Sequence, residues 1–323
     1  MIIGEGSYGQ VSIRNGRAVK KFNRLPHLIQ EYIALRYLNT CKYIVRPLGL
    51  NLDELELYME LYDGSLREWM RKKRTASTDE ISHILKSILY GLIELHDRNL
   101  VHGDLKPSNI LIRNQPFIVV LGYCGFVSVA KYAKVNRTAA AYREPIIKGD
   151  YAHDMYSFGV CLLELIKHFH LNNEKYRTLA FDLIKSERRL RPNAREVLNN
   201  IFHTEPVQWI APKYDTHSLN ISTTDRKHVK TVMKELIYKY NINRGKIGYI
   251  SLLRYLDSQH VSSTKYVLHI CLTIFILSSV FGPPGFTEAN VSRICKINST
   301  YKINEYLMSM ITNDDFINVL FFK

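Results

Sequence analysis

Short strand-like runs dominate the first sixty residues. Two of them, GQVSI and RAVKKF, flank Asn15-Gly16, a dipeptide that favours a two-residue hairpin turn. Residues 27–38 instead place apolar side chains at helical spacing, and LELYMEL then returns to a strand. These patterns predict a small, strand-rich lobe that contains one helix.

From about Ser65 the spacing of apolar residues changes to that of helices. SLREWMRKK is followed by ISHILKSILYGLIELHDRN, whose start carries Ser77, Thr78 and Asp79 as candidate caps, and then by YSFGVCLLELIKHF and AREVLNNIF. Residues 203–222 contain two prolines and no periodicity, which is typical of a linker. Further helices are predicted near 225–240, 246–257, 263–281, 287–296 and 301–312.

The net charge and the spacing of the cysteines indicate which kind of partner and which cellular compartment to expect. The 323 residues carry a net charge of +14, which favours acidic partners, but no run of Lys and Arg predicts specific nucleic-acid binding. The cysteines, at 41, 124, 161, 271 and 295, are scattered without CxxC spacing. This pattern indicates free thiols in a reducing, intracellular compartment and argues against a zinc site or a disulfide framework.

The apolar run YVLHICLTIFILSSVF at 266–281 must be weighed as a membrane span. It has about 16 residues and carries His269 and several hydroxyl groups, whereas a span needs about 20 apolar residues. We therefore predict a buried helix and no membrane association. The N-terminal MIIGEGSYG lacks the charged and apolar segments expected of a signal peptide.

The string GEGSYGQV matches the pattern GxGxxGxV between two predicted strands. By itself this string is equally typical of a hairpin loop. Here Ala18-Val19-Lys20 follows on the next strand, Glu31 on the next helix, and HGDLKPSN at 102–109. The three glycines let backbone amides approach phosphate groups, the lysine supplies positive charge, and the glutamate would hold the lysine in place.

Taken in order, these motifs resemble those of the eukaryotic protein kinase family over residues 1–202. Asp154-x-x-x-x-Gly159 and the string RPNARE at 191–196 extend the resemblance. Singly, the charged residues of this set would also suit a surface ion pair, but their order and spacing favour the kinase interpretation. The resemblance implies an α+β fold with two lobes, at 1–62 and 63–202, and implies ATP and Mg²⁺ as cofactors.

The resemblance also assigns roles to individual residues. Asp104 would orient the substrate hydroxyl and accept its proton, and Lys106 would steady the transferred phosphate, which indicates Ser/Thr rather than Tyr substrates. Asn109 would hold one magnesium ion, and Asp154 would anchor the backbone of the catalytic loop. The positions implied for nucleotide binding are Ile3, Gly4, Gly6, Gly9, Val11, Ala18, Lys20, Glu31, Met59, Glu60, Tyr62 and Leu111.

Within that set, the resemblance places Val11, Ala18 and Leu111 around adenine. Met59 would stand at the back of the adenine pocket. The backbone of residues 60–62 would form the hinge that pairs with the adenine edge.

One group that the resemblance requires is missing. About thirteen residues after Asn109, Gly122-Tyr123-Cys124 stands in place of Asp-Phe-Gly, so the magnesium-binding aspartate is absent. No Asp or Glu occurs anywhere in 110–143, so no shift of register restores one. Losing about 4 kcal/mol of metal stabilisation would slow phosphate transfer about a thousandfold, which is still faster than the uncatalysed reaction.

Three further departures accompany this loss. Gly103 replaces the arginine that usually precedes the catalytic aspartate, which removes a partner for a phosphorylated Thr138. The Ala-Pro-Glu signature reads Glu-Pro-Ile at 144–146, which is expected to leave Arg191 without its usual carboxylate. The lysine and the helix glutamate are only eleven residues apart, so the control helix is expected to lack its first turn or two.

The C-terminal segment 223–323 resembles a cyclin box. LLRYLDS resembles the end of its second helix, HICLTIFILSS its buried central helix and YKINEYLMSMI its last helix. The lysine and glutamate with which cyclins grip the kinase helix are replaced by Val280 and by Met310 or a neighbour. An unrelated helical bundle is the alternative, and in either case 223–312 are expected to dock on the small lobe.

The function implied is a serine/threonine protein kinase that acts on protein substrates and is regulated in cis by the helical domain. The main alternative is a pseudokinase scaffold that binds nucleotide or partners without efficient catalysis; a metabolite kinase ranks third. The Ile-, Asn- and Tyr-rich chain with its eroded motifs resembles viral kinases, which implies the cytoplasm or nucleus of a host cell.

Overall fold

The computed structural model describes residues 2–6, 9–130, 140–144, 150–204, 221–241, 245–259, 265–281, 286–297 and 300–321. Most of the predicted linker 203–222, together with Thr138 and residues 145–146, lies outside these ranges. The strands are β1 Ile2–Gly6, β2 Gly9–Arg14, β3 Arg17–Phe22, β4 Pro47–Asn51, β5 Glu56–Glu60, β6 Gly64–Ser65, β7 Leu100–Val101, β8 Ile110–Asn114, β9 Phe117–Leu121 and β10 Ser128–Val129.

Helices make up most of the remainder, as predicted. They are α1 Leu25–Tyr37, α2 Leu66–Lys72, α3 Thr78–Asp97, α4 Tyr151–Phe169, α5 Glu174–Ile184, α6 Ala194–Phe202, α7 Thr223–Lys239, α8 Gly245–Ser258, α9 Tyr266–Phe281, α10 Glu288–Cys295, α11 Thr300–Ile311 and α12 Asp314–Phe321.

The chain divides into two compact units. One comprises Met1–Tyr37, Pro47–Met59 and Ala211–Lys323, and the other comprises Leu38–Arg46 and Glu60–Ile210. The strand-rich N-terminal part and the C-terminal helices therefore belong to one unit. The second unit holds the helices α2 to α6 and the small sheets β6-β8-β9 and β10-β7.

The sheet of the first unit has the strand order β1-β2-β3-β5-β4. Its β2–β3 hairpin pairs Arg14 with Arg17 around Asn15 and Gly16, which have φ angles of 49° and 72°. Both turn residues are thus left-handed, as the predicted two-residue hairpin requires.

Helix α1 is buried on nearly all of its faces. Residues 28–35 are all buried, because α1 packs against β3 and β4 as well as against α9 and α12. The Arg36 guanidinium pairs with Asp314, and the rings of Tyr37 and Phe321 stack with centroids 4.6 Å apart. The C-terminal helices therefore form part of the core that encloses α1.

The five helices predicted after residue 222 are present within a few residues of their expected bounds. The helical domain was predicted to extend to residue 323, but no helix was predicted beyond 312, and α12 follows from Asp314. Asn313 caps this helix by accepting a hydrogen bond from the Phe316 backbone N–H at 2.8 Å. Val280 and Met310, at the positions where the cyclin resemblance would imply a lysine and a glutamate, are both buried and act as packing residues.

Helix α9 is the buried centre of the bundle, as predicted. Its hydroxyl groups are satisfied internally: Thr273 donates to the His269 carbonyl at 2.8 Å and Ser279 to the Phe275 carbonyl at 2.9 Å. A buried helix can therefore hold these polar side chains at little cost. None of the helices in the described ranges combines the length and the apolar character that a membrane span needs.

The second unit is organised around α3 and α4. The predicted start of α3 is confirmed, since the Ser77 side chain accepts a hydrogen bond from the Glu80 N–H in a reciprocal capping box. The apolar face of α3 carries Ile84, Leu85 and Leu92, all fully buried, and α4 packs against α3 and α5. This core fixes the positions of the short segments that carry the candidate catalytic residues.

We expect Phe316→Ala to lower the free energy of unfolding by about 3–5 kcal/mol, because a large, fully buried ring would leave a cavity beside Tyr255. Asp315→Ala, at the neighbouring exposed position, should change it by less than about 0.5 kcal/mol. Urea unfolding of the full chain measures both. Equal, small effects would show that α12 contributes nothing to the core.

Candidate active site

The first unit presents a buried ion pair between Lys20 on β3 and Glu31 on α1. The Lys20 Nζ lies 2.6 Å from Glu31 Oε2, and the two residues are 5% and 1% exposed. The strand register places Val11 opposite Lys20, and Ala18 two residues along β3, so all three share one face of the sheet. The ammonium group is therefore fixed on the face that carries two of the predicted adenine contacts.

The glycine-rich strand pair has one position at which only glycine fits. A Cβ atom on Gly9 would lie 2.0 Å from the Lys21 carbonyl oxygen, whereas the corresponding atom on Gly6 would meet open space. Gly4 makes only ordinary contact with Val11, and Ile3 is 39% exposed. Gly9 thus sets the close approach of β2 to β3, and the two other glycines leave the β1 backbone uncovered.

Met59, near the end of β5, is buried.

In the second unit, three predicted catalytic residues form one hydrogen-bonded cluster. Asp104 Oδ2 accepts from Lys106 Nζ at 2.7 Å and from Asn109 Nδ2 at 2.8 Å. Asn109 Nδ2 also donates to the Asp104 carbonyl at 2.7 Å. Since Asp104 is 1% exposed, its carboxylate orientation is set by these two neighbours.

Asp154 anchors the backbone of the segment that carries Asp104, as the kinase resemblance implied. Its carboxylate accepts the backbone N–H of His102 at 2.8 Å and that of Gly103 at 3.0 Å, and lies 3.0 Å from His96 Nε2. Complete burial would raise the pKa of Asp154, but the hydrogen bond from His96 and the nearby imidazoles hold it below the usual range. The carboxylate therefore stays ionised and fixes the backbone of residues 102 and 103.

Gly103 adopts a backbone conformation that suits glycine, with φ of 77°. An arginine at this position would be strained by about 1 kcal/mol or more. The loss of the usual arginine is therefore accompanied by a backbone shape that disfavours its return.

Gly122, at the position expected for the metal-binding carboxylate, is hydrogen-bonded to neighbouring residues through its backbone. Its N–H donates to the Asn109 carbonyl at 2.8 Å, and its carbonyl lies 3.1 Å from His102 Nε2. A Cβ atom at Gly122 would lie 2.9 Å from both Cγ and Cδ1 of Leu111. The Leu111 side chain thus occupies part of the space that an aspartate would need.

The predicted hinge residues Glu60 and Tyr62 are held by Arg113, which the sequence interpretation did not single out. Arg113 donates to the Leu61 carbonyl at 3.0 Å, and its guanidinium lies 4.8 Å from the centre of the Tyr62 ring. Burial, with the adjacent Glu60 charge, raises the pKa of Tyr62 to about 12. The phenol therefore stays neutral at physiological pH.

The expectation that Arg191 lacks a carboxylate partner was wrong. Its guanidinium lies 2.6 Å from Glu144 Oε1, and both side chains are 1% exposed. Arg188 pairs with the other oxygen of Glu144 at 2.5 Å. Glu144 thus supplies the buried negative charge that pairs with Arg191, although it stands at the first position of Glu-Pro-Ile and not at the last position of an Ala-Pro-Glu signature.

The described residues suit one magnesium ion better than two. Asn109 uses its amide nitrogen for two hydrogen bonds within the loop, while its amide oxygen accepts none from the residues described. That oxygen is a suitable ligand for Mg²⁺, which commonly takes one or two protein ligands together with substrate phosphates. No group of three or more His, Cys, Asp and Glu side chains suited to a metal occurs within the described ranges.

Comparison with known proteins agrees with this architecture. A family profile for the protein kinase domain matches residues 1–244, and this chain belongs to the protein kinase family. Within the matched part, Lys20, Glu31, Asp104 and Asn109 are all retained.

Several curated kinases are similar over about half of the chain. Cell division control protein 2 homolog 2 of Trypanosoma brucei brucei is 31% identical over 51% of this chain and 55% of its own length. Mitogen-activated protein kinase kinase 7 of Arabidopsis thaliana is 33% identical over 49% of this chain and 55% of its own length. The membrane-associated tyrosine- and threonine-specific cdc2-inhibitory kinase of Drosophila melanogaster is 29% identical over 48% of this chain and 31% of its own length. The chain thus spans about half the length, or less, of these relatives.

We expect Gly122→Asp alone to lower the free energy of unfolding by about 1–3 kcal/mol, because its Cβ would overlap Leu111. In a Leu111→Ala background the same substitution should cost much less. A double-mutant cycle in urea measures this coupling between the two positions.

Gly122→Ala is the matched control, since it adds the same Cβ atom without the charge. It should show the same coupling to Leu111. If the effects of Gly122→Ala and Leu111→Ala on the free energy of unfolding are additive, Leu111 does not restrict position 122.

Proposed function

We propose that this protein is a serine/threonine kinase that transfers the γ-phosphate of ATP to protein hydroxyl groups through a site with one metal-binding residue. The observation that carries the proposal is the cluster of Asp104, Lys106 and Asn109. It keeps the carboxylate, the cation and the amide oxygen that the chemistry needs, in hydrogen-bonded geometry.

Each residue of the site has a distinct role in this proposal. Asp104 orients the attacking hydroxyl and accepts its proton, and Lys106 neutralises charge on the transferred phosphate. Lys20, held by Glu31, provides a second positive charge for the phosphates of ATP. Asn109 would hold a magnesium ion, which supplies electrostatic stabilisation of the phosphate oxygens when bound.

The missing carboxylate sets the expected rate. If it would have contributed about 4 kcal/mol, turnover falls about a thousandfold below that of an efficient kinase. Transfer is therefore expected to be slow but measurable, and to depend on Asp104.

The helical domain has a proposed regulatory role in cis. Helices α9 and α12 cover α1, the helix that carries Glu31, much as a cyclin covers the corresponding helix of its kinase partner. Because these contacts are intramolecular, the Lys20–Glu31 pair would form without a separate activating subunit. The resemblance of 223–323 to a cyclin box supports this role.

A pseudokinase is the second candidate function, and one observation favours it. Leu111 fills part of the space beside Gly122, so a carboxylate at this position would require Leu111 to move. In that case the protein would bind nucleotide or partners without efficient phosphate transfer.

We expect single-turnover assays with γ-labelled ATP to show slow transfer to a serine/threonine substrate mixture, including the protein itself. Asp104→Asn should reduce transfer at least a hundredfold, because the group that accepts the hydroxyl proton is lost. Asp182→Asn, at a half-buried aspartate on α5 that pairs with Lys185, is the matched control and should leave the rate unchanged.

A thermal shift with ATP tests the nucleotide site on which both candidate functions rely. The wild type should be stabilised by ATP, and Lys20→Ala should lose most of that shift, whereas Lys21→Ala at the exposed neighbouring position should not. Nucleotide binding without any Asp104-dependent transfer would favour the pseudokinase. No stabilisation by ATP with any divalent ion would contradict both nucleotide-based proposals.

A further inference from the structure

Helix α7 has two faces of opposite character. Val229 and Met233 are buried against the neighbouring helices α8 and α9. Lys227, Lys230 and Lys234 are all exposed on the other side. Their spacing of three and four residues places them in one row along the helix, here termed the lysine stripe.

The lysine stripe is not balanced by acidic residues of its own helix. Asp225 and Glu235 are the acids of α7, and neither is three or four residues from any lysine of the stripe. Like charges at these spacings repel one another. Among the described residues the three lysines also form no ion pair, which sets the stripe apart from an ordinary exposed helix face of mixed charge.

An aromatic side chain continues the same row. Tyr238 follows Lys234 by four residues and is 90% exposed. Three cations followed by an exposed aromatic ring form a surface that a complementary partner can contact by charge along its length and by apolar packing at one end.

We propose that the lysine stripe is a docking surface for an acidic polypeptide segment of another protein. The stripe spans about 10 Å along the helix axis, from the rise of 1.5 Å per residue. Carboxylates on one face of a partner helix recur at the same three- and four-residue spacing. The net charge of +14 would attract such a segment before contact is made.

A polypeptide partner suits the stripe better than a polynucleotide. All three cations are lysines, which act as point charges, and none offers the planar fork with which arginine grips phosphate in two places. One exposed ring is available, whereas single-stranded nucleic acids are usually held by several stacking side chains along a groove. Docking at this surface does not require phosphate transfer, so it can be tested separately from the proposed function.

The experiment measures fluorescence anisotropy of a labelled, helix-forming peptide with glutamates spaced three and four residues apart, titrated with the full chain. We expect the substitution of all three stripe lysines by glutamate to weaken binding at least tenfold. Raising the salt from about 50 to about 200 mM should weaken wild-type binding and have little effect on the variant.

Three controls determine whether the stripe itself is responsible. Replacing Lys72, Lys167 and Lys175 by glutamate makes the same change in net charge at exposed positions of the second unit, and it should alter binding less than twofold. A peptide with glutamine for glutamate should not bind. Tyr238→Ala should weaken binding of the acidic peptide severalfold.

Four results would overturn the proposal. These are equal losses in the two triple variants, equal binding of the glutamine peptide, no binding of the acidic peptide, and tighter binding of a short oligonucleotide through the same lysines. The last result would assign the stripe to nucleic acid. Unchanged melting temperatures of the variants would show that any loss is not caused by unfolding.

Discussion

The buried carboxylate of Asp154 positions the loop that carries Asp104, and the hydrogen-bonded cluster of Asp104, Lys106 and Asn109 depends on it. Two backbone N–H groups donate to this carboxylate, which fixes the segment immediately before Asp104. Asn109 then fixes the other side of Asp104 through two further hydrogen bonds. An ionised group in a dry interior is costly unless its oxygens are all used, and here the loop backbone and His96 use them. The geometry of the catalytic cluster is therefore a consequence of satisfying one buried charge.

A second buried charge organises the small lobe. Lys20 and Glu31 are nearly inaccessible to water, and such a pair is stabilising only when both partners are held in place. Helix α1 supplies that rigidity because it is enclosed by the sheet on one side and by α9 and α12 on the other. The C-terminal helices thus support a charged pair that belongs to the N-terminal lobe, and this physical link underlies the proposed regulation in cis.

The sequence predicted the periodic elements well and the contacts between distant residues poorly. Hairpin and helix signals are local, so the Asn15-Gly16 turn and the five bundle helices could be predicted, whereas α12 was missed because its short apolar run resembles a tail. The partner of Arg191 could not be predicted because Glu144 reaches it only in the folded chain. The occupation of the space beside Gly122 by Leu111 likewise depends on how β8 packs against the segment that follows β9.

The central claim is that this kinase site retains one metal ligand, Asn109, and has lost the second. Its most direct test is the number of Mn²⁺ ions bound in the presence of a non-hydrolysable ATP analogue, counted by electron paramagnetic resonance titration. We expect one ion per chain, which is lost in Asn109→Ala and is bound by the wild type whether or not phosphate transfer is detectable. Two bound ions, or one ion that persists in Asn109→Ala, would contradict it.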